Sequence, residues 1–382
     1  MRRNTLFAIA LVGLCAAPAQ AQDAVTLVED CNAINTPGGP QIEVRNRNPS
    51  PAADPFVEEA IESIEDDVRF LCNTVATTLS NIQPAIGIGF SGGNPTLGMG
   101  GTLGTRFGFV PRFAVTARVN AVLTEVPDLQ EMSAQLNATN PSLDSVPTTR
   151  MPLGAIQGDL AIGVFNGITL VPMLGGLGSI DLLGSVSFIP MIEDAGLEDA
   201  IVSWGVGARV GILKGGLVAP GLSVSGMYRR IGEASFGDIE AEDPDPGEFA
   251  MDLSTLSLRA ALSKGIAMFD FAVGAGYDKY TSDPSFNFAL NCRTAECTAA
   301  ADPANSDEGI TVRMEERIGG EVETAAWNVF GNFGMSLLLL NLVGEIGYQK
   351  ATDVLDSDDV QVTEEELSGG RIFGSLGLRL TL

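Results

Sequence analysis

The chain has 382 residues, with 22 basic against 48 acidic side chains, a formal net charge of −26 and no histidine. So acidic a surface argues against nucleic acid as a partner and favours basic groups or divalent cations. Without histidine there is no Ser-His-Asp hydrolysis, no His-based metal site and no usual general base, so the chain is read as non-enzymatic, with no cofactor.

Residues 1–21 read as a secretory leader: Arg2 and Arg3 supply charge, Leu6 to Leu14 an apolar run, and Ala19-Gln20-Ala21 a small-residue cleavage site. The run is too short to span a bilayer, which takes about 20 residues, so export by the Sec pathway is expected, with the mature chain starting near Gln22. Four cysteines follow: Cys31, Cys72, Cys292 and Cys297. An even number in an exported chain favours two disulfides with three possible connectivities, and the short spacing favours Cys292 with Cys297. A four-thiolate site fits less well, because the spacings match no zinc pattern.

Residues 22–53 are rich in Pro, Asn and Gly and read as an irregular tail. Asp54 followed by Pro55 is a helix start, a capping side chain ahead of a proline at the first helical position. Val57, Ile61, Ile64, Val68, Leu71 and Val75 then form one apolar seam at helical spacing, with Glu58, Glu59, Glu62, Glu65, Asp66 and Asp67 outside it. The helix is expected to reach about Ser80, roughly 39 Å at 1.5 Å per residue, with Pro84 ending it. Residues 22–83 thus form an N-terminal tail and acidic amphipathic helix. Either the helix enters the barrel described below as a plug, with carboxylates facing its arginines, or it lies in the periplasm with its seam on a partner.

From residue 84 the period changes to two, and no later segment carries the roughly 18 consecutive apolar residues of a transmembrane helix. Twelve strands are expected, at about 85–91, 97–106, 112–124, 153–165, 178–189, 201–213, 217–230, 253–264, 267–280, 322–336, 341–350 and 369–382; fourteen is the alternative count. Val202, Trp204, Val206, Ala208, Val210 and Ile212 oppose Ser203, Gly205, Gly207, Arg209 and Gly211, a strand apolar on one side only. The first two segments are Gly-rich and weakly patterned. Gly92-Gly93-Asn94-Pro95 reads as a turn.

Long connections (125–152, 190–200, 231–252, 281–321 and 351–368) alternate with short ones such as Lys214-Gly215-Gly216 and Lys264-Gly265-Ile266. The aromatics on the apolar parity sort likewise: Phe188, Trp204, Tyr228, Tyr277, Trp327 and Tyr348 fall toward the long-loop ends of their strands, and Phe113, Phe269 and Phe333 toward the short-turn ends. Tight turns at one end, long loops at the other and two aromatic girdles suit a membrane barrel better than a soluble sandwich.

Residues 84–382 therefore resemble the bacterial outer-membrane β-barrels, all-β and antiparallel up-and-down, without the motif of any one subfamily. The resemblance implies an outer-membrane location, a lipid partner, assembly by the barrel-assembly machinery and, with both termini periplasmic, long loops outside. A helix ahead of twelve strands is similar to autotransporter translocators, whose helix threads the barrel. The barrel phospholipases, lipid A deacylases and omptin-type proteases are similar in strand number but rely on a histidine.

The opposite parity sends Arg118, Asn120, Gln157, Asp159, Asp181, Arg209, Arg229, Arg259, Asp270, Asp278, Asn328, Asn332, Glu345, Gln349 and Arg379 inward. These are either a hydrated mixed-charge path or a self-neutralising filled lumen. Acid concentrates in the long loops, at Glu193, Asp194, Glu198 and Asp199, at Asp238, Glu240, Glu242, Asp243, Asp245 and Glu248, and at Asp353, Asp356, Asp358, Asp359, Glu364, Glu365 and Glu366. Solvated loops are the plain reading and divalent cations the alternative, though Asp353 to Asp359 lacks EF-hand spacing. The expected function is porin-like transport of a small-molecule substrate, with the helix as a candidate gate. The alternatives are a non-conducting structural or adhesive barrel and a hydrophobic-ligand transporter of the fatty-acid type.

Overall fold

The computed structural model describes residues 42–46, 82–106, 109–127, 148–168, 177–189, 200–213, 215, 220–236, 247–291, 310–314, 318–319, 321–337, 340–352 and 370–382. The leader, the four cysteines, the helix expected over 55–80 and the acidic loop residues named above, Glu248 excepted, lie outside them. The strands are β1 (Ile42–Asn46), β2 (Thr105–Arg106), β3 (Val110–Pro127), β4 (Thr148–Phe165), β5 (Ser179–Ile189), β6 (Ile201–Leu213), β7 (Gly221–Phe236) and β8 (Gly247–Ile266). They continue with β9 (Phe269–Ser282), β10 (Ser285–Asn291), β11 (Ile310–Met314), β12 (Ile318–Gly319), β13 (Val322–Leu337), β14 (Leu340–Ala351) and β15 (Arg371–Thr381).

Antiparallel pairing runs β3-β4-β5-β6-β7-β8-β9-β13-β14-β15, and β15 pairs back onto β3. A closed sheet leaves no edge, so every backbone polar group of the wall has a partner without water. Among the described residues ten strands make this wall, which corrects the expected twelve or fourteen. Residues 85–91 and 97–106 are the difference. Residues 82–91 are helical, 92–104 are irregular, and only Thr105–Arg106 pairs as a strand, with Val110–Pro111 at the start of β3. Pro84 lies in the first turn of this described helix, and Gly92 ends it in the left-handed conformation at φ 61°, with its N–H on the Ile88 carbonyl at 2.8 Å. The helix that Pro84 is expected to end lies outside the described residues.

Alternation along each wall strand sets which residues meet lipid. In β15, Ile372, Leu376 and Leu378 are exposed, whereas Arg371, Phe373, Ser375 and Arg379 are buried inside. The outward residues of neighbouring strands make a continuous apolar belt on the outer surface, which only a lipid environment covers. All six outer-end aromatics lie on it, with Trp204 edge-on to Tyr228 at 6.1 Å and Trp327 against Tyr348 at 5.7 Å. At the other end Phe333 packs against Phe269 and Phe271, at 5.7 and 5.5 Å.

The two ends of the barrel differ. One carries the ends of β3, β5, β7, β9 and β14, from which the long connections leave. There the first residues of β8 (Gly247–Ala250) pair with β10, which pairs with β11 and β12, and β11 pairs with β1. The opposite end carries the short turns and the C-terminus, where Leu382 and Phe113 exchange backbone hydrogen bonds at 2.8 and 3.2 Å.

Candidate functional site: a plugged lumen

The site is the barrel interior, and residues 82–104 occupy it from end to end. Gln83 stands at the long-loop end: its amide contacts Ser282 Oγ and the Val322 carbonyl, and its Oε1 accepts from Thr324 at 3.1 Å. The helix then descends with Ile88 in one apolar cluster with Val122, Phe330 and Phe373, and Phe90 in another with Tyr280, Leu253 and Ile231. Val122, Ile231, Leu253, Phe330 and Phe373 are apolar side chains on an inward face that is mainly polar, and the helix explains them: apolar wall residues sit where the plug is apolar.

Below residue 91 the plug has no regular ladder, so its backbone groups must find other partners. The wall supplies them. Asn120 and Ser187 donate to the Phe90 carbonyl, both at 3.2 Å, and Arg118 donates to the carbonyls of Ser91 and Asn94 at 2.9 and 3.0 Å. A cation on the last carbonyls of a helix is also favoured by the helix dipole. Glu345 accepts the consecutive N–H groups of Gly93 and Asn94 at 2.7 and 2.8 Å, and Asp181 those of Leu103 and Gly104 at 2.9 to 3.2 Å. Each carboxylate fills a small nest of backbone donors. Arg259 and Arg379 donate to the carbonyls of Gly93 and Leu97, both at 2.7 Å, and Arg209 contacts Thr96.

The same wall charges are paired with one another. Arg118 meets Asp159 at 2.9 Å, Arg209 meets Asp181 at 2.6 Å, and Arg259 meets Asp278 at 2.8 Å, all buried. Asp278 also accepts from Ser257 and Asn328, at 2.6 and 2.8 Å. Asn332 donates to Glu345 at 2.7 Å, and Gln349 to Tyr280 at 2.8 Å. Asp270 is half-buried near the short-turn end, 3.9 Å from Arg379. Arg229 is buried and reaches Ser257 at 3.4 Å, beside a gap toward Gly93 and Pro95 too narrow for a water molecule. Every inward residue expected from parity thus lies in the interior or at its rim. The arginines face plug carbonyls and wall carboxylates, a different arrangement from arginines met by carboxylates of an entering helix.

Sequence reasoning missed the plug contacts of Gln83, Asn94 and Thr96. Their signal was the glycine density around them. At Gly93 a Cβ would stand 2.8 Å from Phe330, and Gly98 combines a φ of 73° with 2.7 Å to Val343. A backbone passing through a packed lumen needs both allowances.

The fold is that of an outer-membrane β-barrel. No protein-family model and no curated protein sequence matches the chain. Among solved structures it is similar to the outer-membrane protease OmpT of Escherichia coli, at 13% identity and a TM-score of 0.37 over 71% of this chain and 97% of that one. It is similar to the translocator domain of the autotransporter NalP from Neisseria meningitidis, at 10% identity and 0.36 over 81% and 96%. It is also similar to Ail, the attachment invasion locus protein of Yersinia pestis, at 8% identity and 0.25 over 71% and 98%. Values this low identify no activity in this chain.

Proposed function

We propose that this protein is a non-conducting barrel of the bacterial outer membrane, shut by its own residues 82–104, which acts as an anchor for what it presents at the long-loop end. The apolar belt and aromatic girdles support the membrane assignment, and the short turns with the C-terminus support a periplasmic position for the opposite end. One observation carries the closed state: the plug's irregular backbone is held by buried side chains of the wall, Arg118, Arg259, Arg379, Asp181 and Glu345 among them. Each such charge-assisted bond is worth about 1.5–3 kcal/mol, and leaving the partner unpaired costs at least as much, so the plug does not leave spontaneously. The reading carries no catalytic role.

A second reading, a gated path for small polar solutes, is favoured by the wall behind the plug, whose ion pairs would line a hydrated bore. A hydrophobic-ligand route has less support, because the inward face is mainly polar. Single-channel recording in planar bilayers tests these. The full chain is expected to stay silent, and discrete steady openings would overturn the closed reading. The variant Arg118→Ala, Arg259→Ala, Arg379→Ala is expected to flicker open, as loss of three plug anchors should allow.

A further inference from the structure

The chain crosses the barrel in one direction between residues 83 and 105. Gln83 is fixed at the long-loop end by the last residue of β9 and the first residues of β13. Thr105 and Arg106 are fixed at the other end by the first residues of β3, beside the C-terminal Leu382. In between, the contacts descend in order: Phe90 with Ser187, Gly93 with Glu345, Leu97 with Arg379, Gly100 with Ser223, and Leu103 with Asp181. At residue 82 the described chain therefore enters the bore from the long-loop mouth.

A separate placement agrees. β1 (Ile42–Asn46) pairs with β11, β11 with β10, and β10 with the first residues of β8, all at that same end. With the short-turn end in the periplasm, β1 and the C-terminus lie on opposite sides of the membrane. That placement differs from the expectation of two periplasmic termini; the helix expected over 55–80 lies outside the described residues.

We infer that the mature N-terminal segment, about residues 22–81, is displayed on the outer face of the membrane, and that the barrel carries this segment of its own chain across. The wall closes around the plug with no edge open, since β15 pairs onto β3. A segment beginning in the periplasm reaches the far mouth only along the bore or as the wall closes around it. The bore suits that passage: it holds one helix near the outer mouth and a single irregular backbone below, and its side chains supply donors and acceptors to a backbone without a ladder. Once residues 82–104 lodge, Arg118, Glu345 and Asp181 hold them and the passage is complete. This inference goes beyond the closed-lumen reading and does not need it, because a conducting barrel could carry the same segment.

The test is a peptide epitope placed between residues 35 and 36 of the full chain, with the same epitope in the 338–339 turn as the periplasmic comparison. Antibody is applied to intact cells and to cells with a permeabilised outer membrane, and heat-shifted gel mobility reports that each barrel has folded. The N-terminal epitope is expected to label intact cells fully while the turn epitope labels only permeabilised ones. An N-terminal epitope reached only after permeabilisation, in a folded barrel, would overturn the inference. On the untagged chain, protease added to intact cells is expected to leave a remainder beginning near residue 82; recovery of intact 22–81 peptides that vanish on permeabilisation would overturn it equally.

Discussion

Glu345 and Gly93 are 252 positions apart in sequence, yet the carboxylate of one accepts the backbone N–H of the other at 2.7 Å in the middle of the barrel. Asn94 N–H and the Asn332 side chain donate to the other carboxylate oxygen. Glu345→Gln keeps the shape but turns one oxygen into a donor facing donors. The expected loss is about 2–3 kcal/mol of stability, read from urea unfolding in detergent micelles or lipid. An unchanged midpoint would mean that the plug is held elsewhere.

Glycine tests the plug at a second level. Gly98→Ala adds a Cβ 2.7 Å from Val343 at a backbone φ of 73°. It is expected to cost about 1–3 kcal/mol. Gly331→Ala has open space around its Cβ and should stay within about 0.5 kcal/mol of the parent. Equal effects at the two sites would contradict a packed lumen.

Arg259 and Asp278 form a buried pair at 2.8 Å. Arg259→Met leaves the Asp278 carboxylate without its cation and the Gly93 carbonyl without its donor, at an expected cost of about 3–5 kcal/mol. Adding Asp278→Asn should recover part of that, because the uncompensated charge is gone. A double-mutant cycle checks it; additive losses would show that the pair is not coupled.

Phe373 is buried in one apolar cluster with Ile88 of the plug helix, whereas Leu376 on the same strand faces outward. Phe373→Ala is expected to cost about 3–5 kcal/mol, through lost burial and the cavity left behind. Leu376→Ala gives up only contact with lipid and should cost clearly less. The two midpoints, measured side by side in the same bilayer, decide whether the interior or the exterior is the packed core.

The two tryptophans of the chain, Trp204 and Trp327, both lie on the outer surface toward the long-loop end. Bromines placed shallow on the acyl chains should quench their fluorescence more than bromines near the bilayer centre. Quenching by aqueous iodide alone would remove the membrane belt.

Much of the wall was legible in the sequence. Alternation over ten segments, broken only by the register shifts at Gly163/Phe165, Gly211/Leu213 and Ile231/Ala234, determined which side chains face out and which face in, because successive side chains of a strand point to opposite faces. Arg379 and Leu378 fall on opposite faces wherever β15 lies. The sequence also determined that long and short connections alternate and that histidine chemistry is absent. It did not determine the strand count. Residues 85–104 have no alternation and many glycines, so local preference leaves helix, strand and loop close in energy. Tertiary structure decided among them, because the donors and acceptors that satisfy this backbone come from Arg118, Glu345 and Arg379, far along the chain. The same contacts decided the direction in which the plug runs, since only a closed wall has a bore to cross.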